Sequence, residues 1–283
     1  MKLFKNRTFL LFLPVAIFLM IPFYGFIHAV IQSLGGEGLA HYEEILSSER
    51  FLSSVWFSVR TAGIATLVSI ILGLGFTKFF HPLLTNISPR LMVWIPMLFP
   101  HFVWGYMVIL MLSETGWLPQ ILAAAGWLET PSNFPVWTRD PEGIGIIITY
   151  VWKEVPLVIL LLFPVYASIR PEYYALVDSL GGNAWHRFTT VDLPHLLPVL
   201  VETFLIIFSF TLAAYEVPAL IGTTFPEMIS VLGYEWFYGS SWDDRPLAFA
   251  AMVMTSLFLL GLTLMSYYGL SRPRWRAMRG DRQ

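Results

Sequence analysis

Four ionisable side chains, Arg60, His101, Glu154 and Glu216, lie inside long apolar stretches of this 283-residue chain. A carboxylate and an imidazole in such surroundings can relay protons or cations, line a polar path or clasp helices together. Each use demands a partner or a watery cavity, because an ionised group at the centre of a bilayer costs about 2.5–3.5 kcal/mol even on a lenient scale. Lys153 adjoins Glu154 but points about 100° away around a helix, so the two make no direct pair. His101 follows Pro100 and can bond a carbonyl that the proline frees, while Arg60 and Glu216, at similar depths, are placed to pair. Other chemistry is excluded by type. There is no cysteine, hence no disulfide, thiolate ligand or thiol nucleophile. Neither H-E-x-x-H nor G-x-S-x-G occurs, which removes the motifs of an intramembrane hydrolase.

A second polar cluster is the stretch SLGGNAWHRFTTVDLP, Ser179 to Pro194, set between two apolar runs. Gly181 and Gly182 permit a sharp turn, and Asn183 to Val191 has the character of a short helix. On that helix Trp185, Phe188 and Val191 or Asp192 recur at three- to four-residue spacing, with His186, Arg187, Thr189 and Thr190 turned elsewhere. An aromatic stripe of this kind on a polar loop needs a partner.

The elements that position these groups follow from hydropathy. The chain is 56% hydrophobic and 13% charged, and its apolar residues fall in runs of about 20 or more, the length that crosses a hydrocarbon core. Six helical spans are expected, near 8–31, 53–79, 90–113, 143–167, 198–221 and 246–270. His101 and Glu154 then lie near the bilayer midplane, and Pro156, Pro164 and Pro218 are expected to bend the fourth and fifth spans. In the second span Ala65, Ser69 and Gly73 form a small-residue row that admits a close neighbour. Trp56, Trp117, Trp236 and Tyr267 mark span ends, at headgroup level.

The net charge of −2 conceals an asymmetry. Sorted by alternate loops, Lys2, Lys5, Arg7, Lys78, Arg90, Arg170, Arg187, Arg272, Arg274, Arg276, Arg279 and Arg282 fall on one side, against Arg50, Arg139 and Arg245 on the other. Basic residues are retained in the cytoplasm, so both termini and the loop at 171–197 are cytoplasmic. Acidic residues from Glu37, Glu43, Glu44 and Glu49 through Glu142, Glu227 and Glu235 to Asp244 crowd the outer side. The first apolar run is too long for a signal core and has no small-x-small cleavage site after it, so it is expected to be retained.

The loop from Pro171 to Pro198 resembles the cytoplasmic loop of the permease subunits of binding-protein-dependent type I ABC importers, with their fingerprint of Glu-Ala-Ala, three residues, Gly, nine residues, Ile-x-Leu-Pro. Leu193-Pro194, Val191 and Gly181 hold that spacing, and Trp185, Arg187, Phe188 and Pro198 match the wider cadence. "AYEVPALIG" at the end of the fifth span resembles a run of the polyamine-type permeases. One departure is plain: Ala175-Leu176-Val177 stands where Glu-Ala-Ala belongs, with Glu172 and Asp178 three positions to either side.

The resemblance implies an all-α membrane protein of six transmembrane helices in the MetI-like fold, a single multi-pass permease domain of the bacterial inner membrane. It implies that Gly181, Gly182, Trp185, His186, Arg187, Phe188 and Pro194 form the element that couples to an ATPase. His101, Glu154, Tyr215, Glu216 and Pro218 are candidates for the translocation path. The chain has no G-x-x-x-x-G-K-[ST], and none of its four lysines follows a glycine, so it is not expected to be an enzyme. ATP and Mg would belong to a cytoplasmic ATPase dimer, and no cofactor or metal to this chain. A second permease subunit, homologous or identical, an extracytoplasmic solute-binding protein and the lipid bilayer are the other expected partners, and nucleic acid is not one. The solute would be small and polar: polyamine, thiamine, a phosphonate or other oxyanion, or iron, with sugar less favoured. The alternative is a self-sufficient secondary transporter or channel using Glu154 and His101.

Overall fold

In the computed structural model, the backbone is described for residues 2–36, 38–239 and 241–280, and side chains for 12–269 apart from 37 and 240. The side chains of Lys2, Lys5, Arg7, Arg272, Arg274, Arg276 and Arg279, and the whole of Glu37 and Arg282, on which part of the charge asymmetry rests, lie outside the described residues. The elements are helical throughout: α1 (Lys2–Leu34), α2 (Ala40–Ser47), α3 (Glu49–Leu84), α4 (Ile87–Trp94), α5 (His101–Leu112), α6 (Trp117–Ala124), α7 (Ile144–Ser168), α8 (Pro171–Ser179), α9 (Ala184–Arg187), α10 (Leu193–Ala213), α11 (Glu216–Ile221), α12 (Ile229–Tyr238) and α13 (Arg245–Gly280). Six helices among the described residues are long and apolar enough to cross a membrane: Phe12–Leu34, Glu49–Leu84, His101–Ala124, Ile144–Ser168, Ala184–Ala213 and Arg245–Gly269.

Two compact units divide the chain, Met1–Leu52 with Leu232–Leu260 and Ser53–Val231 with Gly261–Gln283. Within the first, Arg50 pairs with Glu235 at 2.5 Å, Phe51 stacks on Trp236, and Ser33 bonds the Tyr42 hydroxyl. The second unit holds the functional groups. There α7 is flanked by α5 and α10, around buried Tyr150, Ile146, Val217 and Ile221 toward one end and Val158, Leu162, Leu196 and Ile207 toward the other. The small-residue row of α3 does what its spacing predicts. Ala65 and Ser69 are fully buried, and a Cβ at Gly73 would stand 2.5 Å from Val158 Cγ1 and 3.3 Å from the Val155 carbonyl oxygen of α7.

Two of the expected helices are broken. The third, expected unbroken over 90–113, is divided: α4 runs into a 3-10 turn at Ile95–Leu98, the chain is extended at Phe99 and Pro100, and α5 begins at His101. Pro100 supplies no N–H and forces the residue before it out of the helical region. The fifth, expected over 198–221, instead runs continuously from Ala184 to Ala213 and breaks at Ala214 and Tyr215 before the short α11. Pro218 explains that break, since its missing N–H would have served the Ala214 carbonyl. The hydroxyl of Ser230 donates to Ala214 O instead, at 2.7 Å.

Candidate functional site

The break in the third span is held by two consecutive residues of α7. Lys153 Nζ donates to the carbonyl oxygens of Pro96, Met97 and Phe99 at 3.1, 3.0 and 2.6 Å, where the first half-helix ends and its last carbonyls have no helical partner. Glu154 diverges to the other half, its Oε1 3.0 Å from His101 Nε2 at the first residue of α5. A cation thus meets the negative end of one half-helix and a carboxylate the positive end of the next, the arrangement that the aligned peptide dipoles favour. Both side chains are buried, at 7% and 5% exposure. His101 is therefore not the lone mid-helix imidazole expected to bond a carbonyl freed by Pro100. It opens a helix and faces a carboxylate, and the freed carbonyls are taken by Lys153.

Around this pair, the His101 ring lies 4.6 Å from Phe210 and 6.0 Å from Tyr150, centroid to centroid. Tyr150 is fully buried, its hydroxyl finds no hydrogen-bond partner among the described residues, and it is within electrostatic reach of both Glu216 and Glu154. Beside Phe210, the second broken helix opens a depression of about 440 Å³ lined by Ala213, Ala214, Tyr215 and Glu216. Four of the five candidate path residues, His101, Glu154, Tyr215 and Glu216, thus gather at or beside the two breaks, while Pro218 is buried and shapes the second one. The expected pair of Arg60 with Glu216 does not form. Arg60 instead bonds the Glu142 carboxylate at 2.6 Å, the Glu142 carbonyl at 2.9 Å and the Pro141 carbonyl at 3.3 Å, in the chain entering α7. Lys153 and Tyr150 were not singled out from sequence as site residues. The legible signal was a lysine deep in an apolar span, which must find acceptors, downstream of two prolines at positions 96 and 100.

The polar hairpin is the second group. α8 ends at Ser179, Gly181 turns the chain at φ 75°, and the Asn183 side chain accepts from the Trp185 and His186 N–H groups to start α9. Gly182 has no room for a side chain: a Cβ would collide with Val177 Cγ1 and stand 2.8 Å from the Val177 carbonyl oxygen. Arg187 grips Asp178 through both carboxylate oxygens at 2.6 Å, closing the hairpin across the turn. The chain then widens into one π-turn at Phe188–Asp192 and enters α10 with Pro194 in its first turn. Of the aromatic stripe, Trp185 is 67% exposed, joined by Leu176 and Leu180 at 59% and 80%. Phe188 is half-buried beneath Lys78 Nζ, 4.1 Å from its ring centroid. The Trp185 and Phe188 rings lie 5.9 Å apart, centroid to centroid, with Trp185 the outer of the two, and Arg187 is committed within the hairpin.

Residues 65–277 match the family model described as binding-protein-dependent transport system inner membrane component. Among curated relatives, the inner membrane ABC transporter permease protein YcjO of Escherichia coli is 25% identical over 232 residues, 79% of this chain and 75% of that one. The ferric transport system permease protein FbpB of Actinobacillus pleuropneumoniae is 27% identical over 243 residues, covering 83% of this chain but 32% of the relative. Among solved structures, a chain of a bacterial alginate ABC transporter, crystallised in complex with its alginate pentasaccharide-bound periplasmic protein, superposes with a TM-score of 0.74 at 20% identity. That superposition covers 96% of this chain and 98% of the other, and it establishes the fold.

Proposed function

The chain belongs to the binding-protein-dependent transport system inner membrane components and is the permease subunit of an ABC importer, and from that premise we propose that the hairpin from Pro171 to Asp192 docks a separate ATPase while the broken third and fifth spans line the solute path. The family is one of multi-pass inner-membrane subunits whose ATP hydrolysis resides in another chain. A self-sufficient secondary transporter gives way to that membership.

The observation that carries the docking is the exposed apolar patch of Leu176, Leu180 and Trp185 on a hairpin braced by Asp178–Arg187. A rigid apolar patch on a polar cytoplasmic loop gains from burial against a partner and loses little side-chain entropy in doing so. On this reading an ATPase dimer, holding its own ATP and Mg, grips this hairpin and that of a second permease subunit. A periplasmic solute-binding protein delivers the solute from the other side. Closure of the ATPases then shifts the spans between two states that differ in which end of the path is open.

For the solute, the groups at the two breaks favour a small cation, either an amine or ferric ion. Glu216, exposed in the depression, supplies a carboxylate there, and Phe210 supplies an aromatic face that attracts cations. The nearby cations are engaged already, Lys153 by three carbonyls and Arg60 by Glu142, so an oxyanion meets no ready donor from them. The ferric transport role carried in the name of one relative fits this class, whereas the alginate of the structural neighbour does not.

The docking is tested by Trp185→Ala in the full importer. Truncating an anchor of this kind weakens assembly by about 2 kcal/mol or more, so the ATPase is expected to dissociate during purification while the chain itself still inserts, Trp185 being mostly solvent-exposed here. Normal copurification of the ATPase would sink the docking.

A further inference from the structure

The hairpin passes into α10 through a buried carboxylate that neither the path nor the docking patch uses. Asp192, with a side chain 5% exposed, accepts from the Tyr174 hydroxyl of α8 at 2.7 Å and lies 3.7 Å from Lys78 Nζ of α3. Lys78 also covers the Phe188 ring, so one ammonium is fastened to both the first and the last residue of the π-turn. An inserted residue of this kind widens the helix locally, and such turns recur where function needs an unusual side-chain alignment. Here Phe188 and Asp192, four residues apart and so on one face, both meet the same lysine.

The remaining titratable neighbours are consistent with a permanent knot. Burial, and then the hydrogen bond and charge of Asp192, push the Tyr174 phenol well above the ordinary tyrosine range, so it stays protonated and donates. Tyr166 also feels the Asp192 charge, and His81 of α3 stacks on the Tyr166 ring at 5.3 Å. A buried carboxylate stripped of partners is strongly destabilising, so α3, α8 and the start of α10 are bound to one another at this point.

We propose that Asp192, with Lys78, is the positioning joint through which movement of the hairpin is passed to α3 and on to the break in the third span. The proposal rests on the docking reading of the hairpin. From Lys78 the path runs along α3 to Gly73, which has no space between it and Val158 of α7. Val158 lies about one helical turn from Glu154, the residue that holds the start of α5. The path consists of one ion pair, two helical segments and one close backbone approach at Gly73, and packed elements of this kind shift between discrete arrangements instead of deforming smoothly. Spatial continuity alone does not establish coupling, so coupling itself must be measured.

The test uses the assembled importer with its ATPase. The chain is naturally free of cysteine, so a single spin label at Leu98→Cys, 73% exposed at the end of the first half-helix, reports on the break. Trapping the ATPase with ATP and vanadate is expected to change the label's mobility in the otherwise native protein. In Asp192→Asn, which keeps the shape and the Tyr174 bond, that change should shrink by about fivefold or more, the scale of a typical coupling energy. Copurification of the ATPase should be unaltered. Lys78→Met should do the same, and the double variant no worse than either alone. A merely structural role would lower the amount of protein in the membrane without altering the trapped change per assembled complex. A full label response in Asp192→Asn or Lys78→Met overturns the joint, and so does failure of both variants to reach the membrane, since the contact would then be a folding element. If Trp185→Ala assembles normally the docking fails; if it does not, and Asp192→Asn still responds, only the joint fails.

Discussion

Replacing Lys153 by methionine removes the ammonium from the break in the third span while retaining an unbranched stem of similar bulk, so no cavity term enters. Of the three carbonyls it serves, that of Pro96 also accepts from Trp104 Nε1 at 3.0 Å and keeps a partner. Those of Met97 and Phe99 lie at the end of a half-helix followed by a proline without an N–H. Each carbonyl left unpaired away from water costs about 1–3 kcal/mol, about 2–6 kcal/mol for the two. Part of this is offset because a buried ammonium no longer has to be desolvated, an effective penalty of several kcal/mol in its own right. We expect a net loss of about 2–4 kcal/mol, compared with the 3–5 kcal/mol typical of breaking a buried ion pair. The measurement is reversible denaturant unfolding of the chain in mixed micelles, wild type against Lys153→Met. A loss under about 0.5 kcal/mol, the level of an ordinary surface substitution, would refute the claim that Lys153 satisfies the break, and would mean that water or another donor reaches those carbonyls.

Glu154→Gln keeps an acceptor for His101 but removes the charge, so assembly and micelle stability should stay near wild type. Uptake by vesicles carrying the whole importer should fall by about tenfold, a tenfold change being 1.4 kcal/mol; undiminished uptake would reduce Glu154 to a clasp between helices. At the hairpin tip the two glycines should separate by mechanism. Gly181→Ala meets open space and costs only the left-handed backbone, about 1 kcal/mol, whereas Gly182→Ala drives a Cβ into Val177 and should cost about 1–3 kcal/mol as overpacking does. Proteolytic nicking of the hairpin in membranes ranks the two, and a more protease-sensitive Gly181→Ala would contradict the assignment.

The number of helices long and apolar enough to cross a membrane and the hairpin were legible in the sequence, because each depends on local chemistry. About twenty apolar residues must cross a bilayer as a helix whatever surrounds them, and the family fingerprint runs through consecutive residues from Gly181 to Pro194. The asymmetry of basic loops likewise needs no contact to be read. The breaks were not placed in this way. Pro96, Pro100 and Pro218 announce a disturbance, yet proline is tolerated within α7 at Pro156 and Pro164, so the residue type alone does not say which helix parts. That depends on whether a neighbour can satisfy the freed carbonyls, as Lys153 does from α7 and Ser230 does for Ala214. Partner choice among charges was decided at the same level. Arg60 takes Glu142 and leaves Glu216, Glu154 takes His101, and Asp192 joins Tyr174 and Lys78, because a charge binds whatever complementary group the packing brings within about 3–4 Å. Composition and periodicity set how many charges must be satisfied within the membrane; only the three-dimensional packing determines which groups satisfy them.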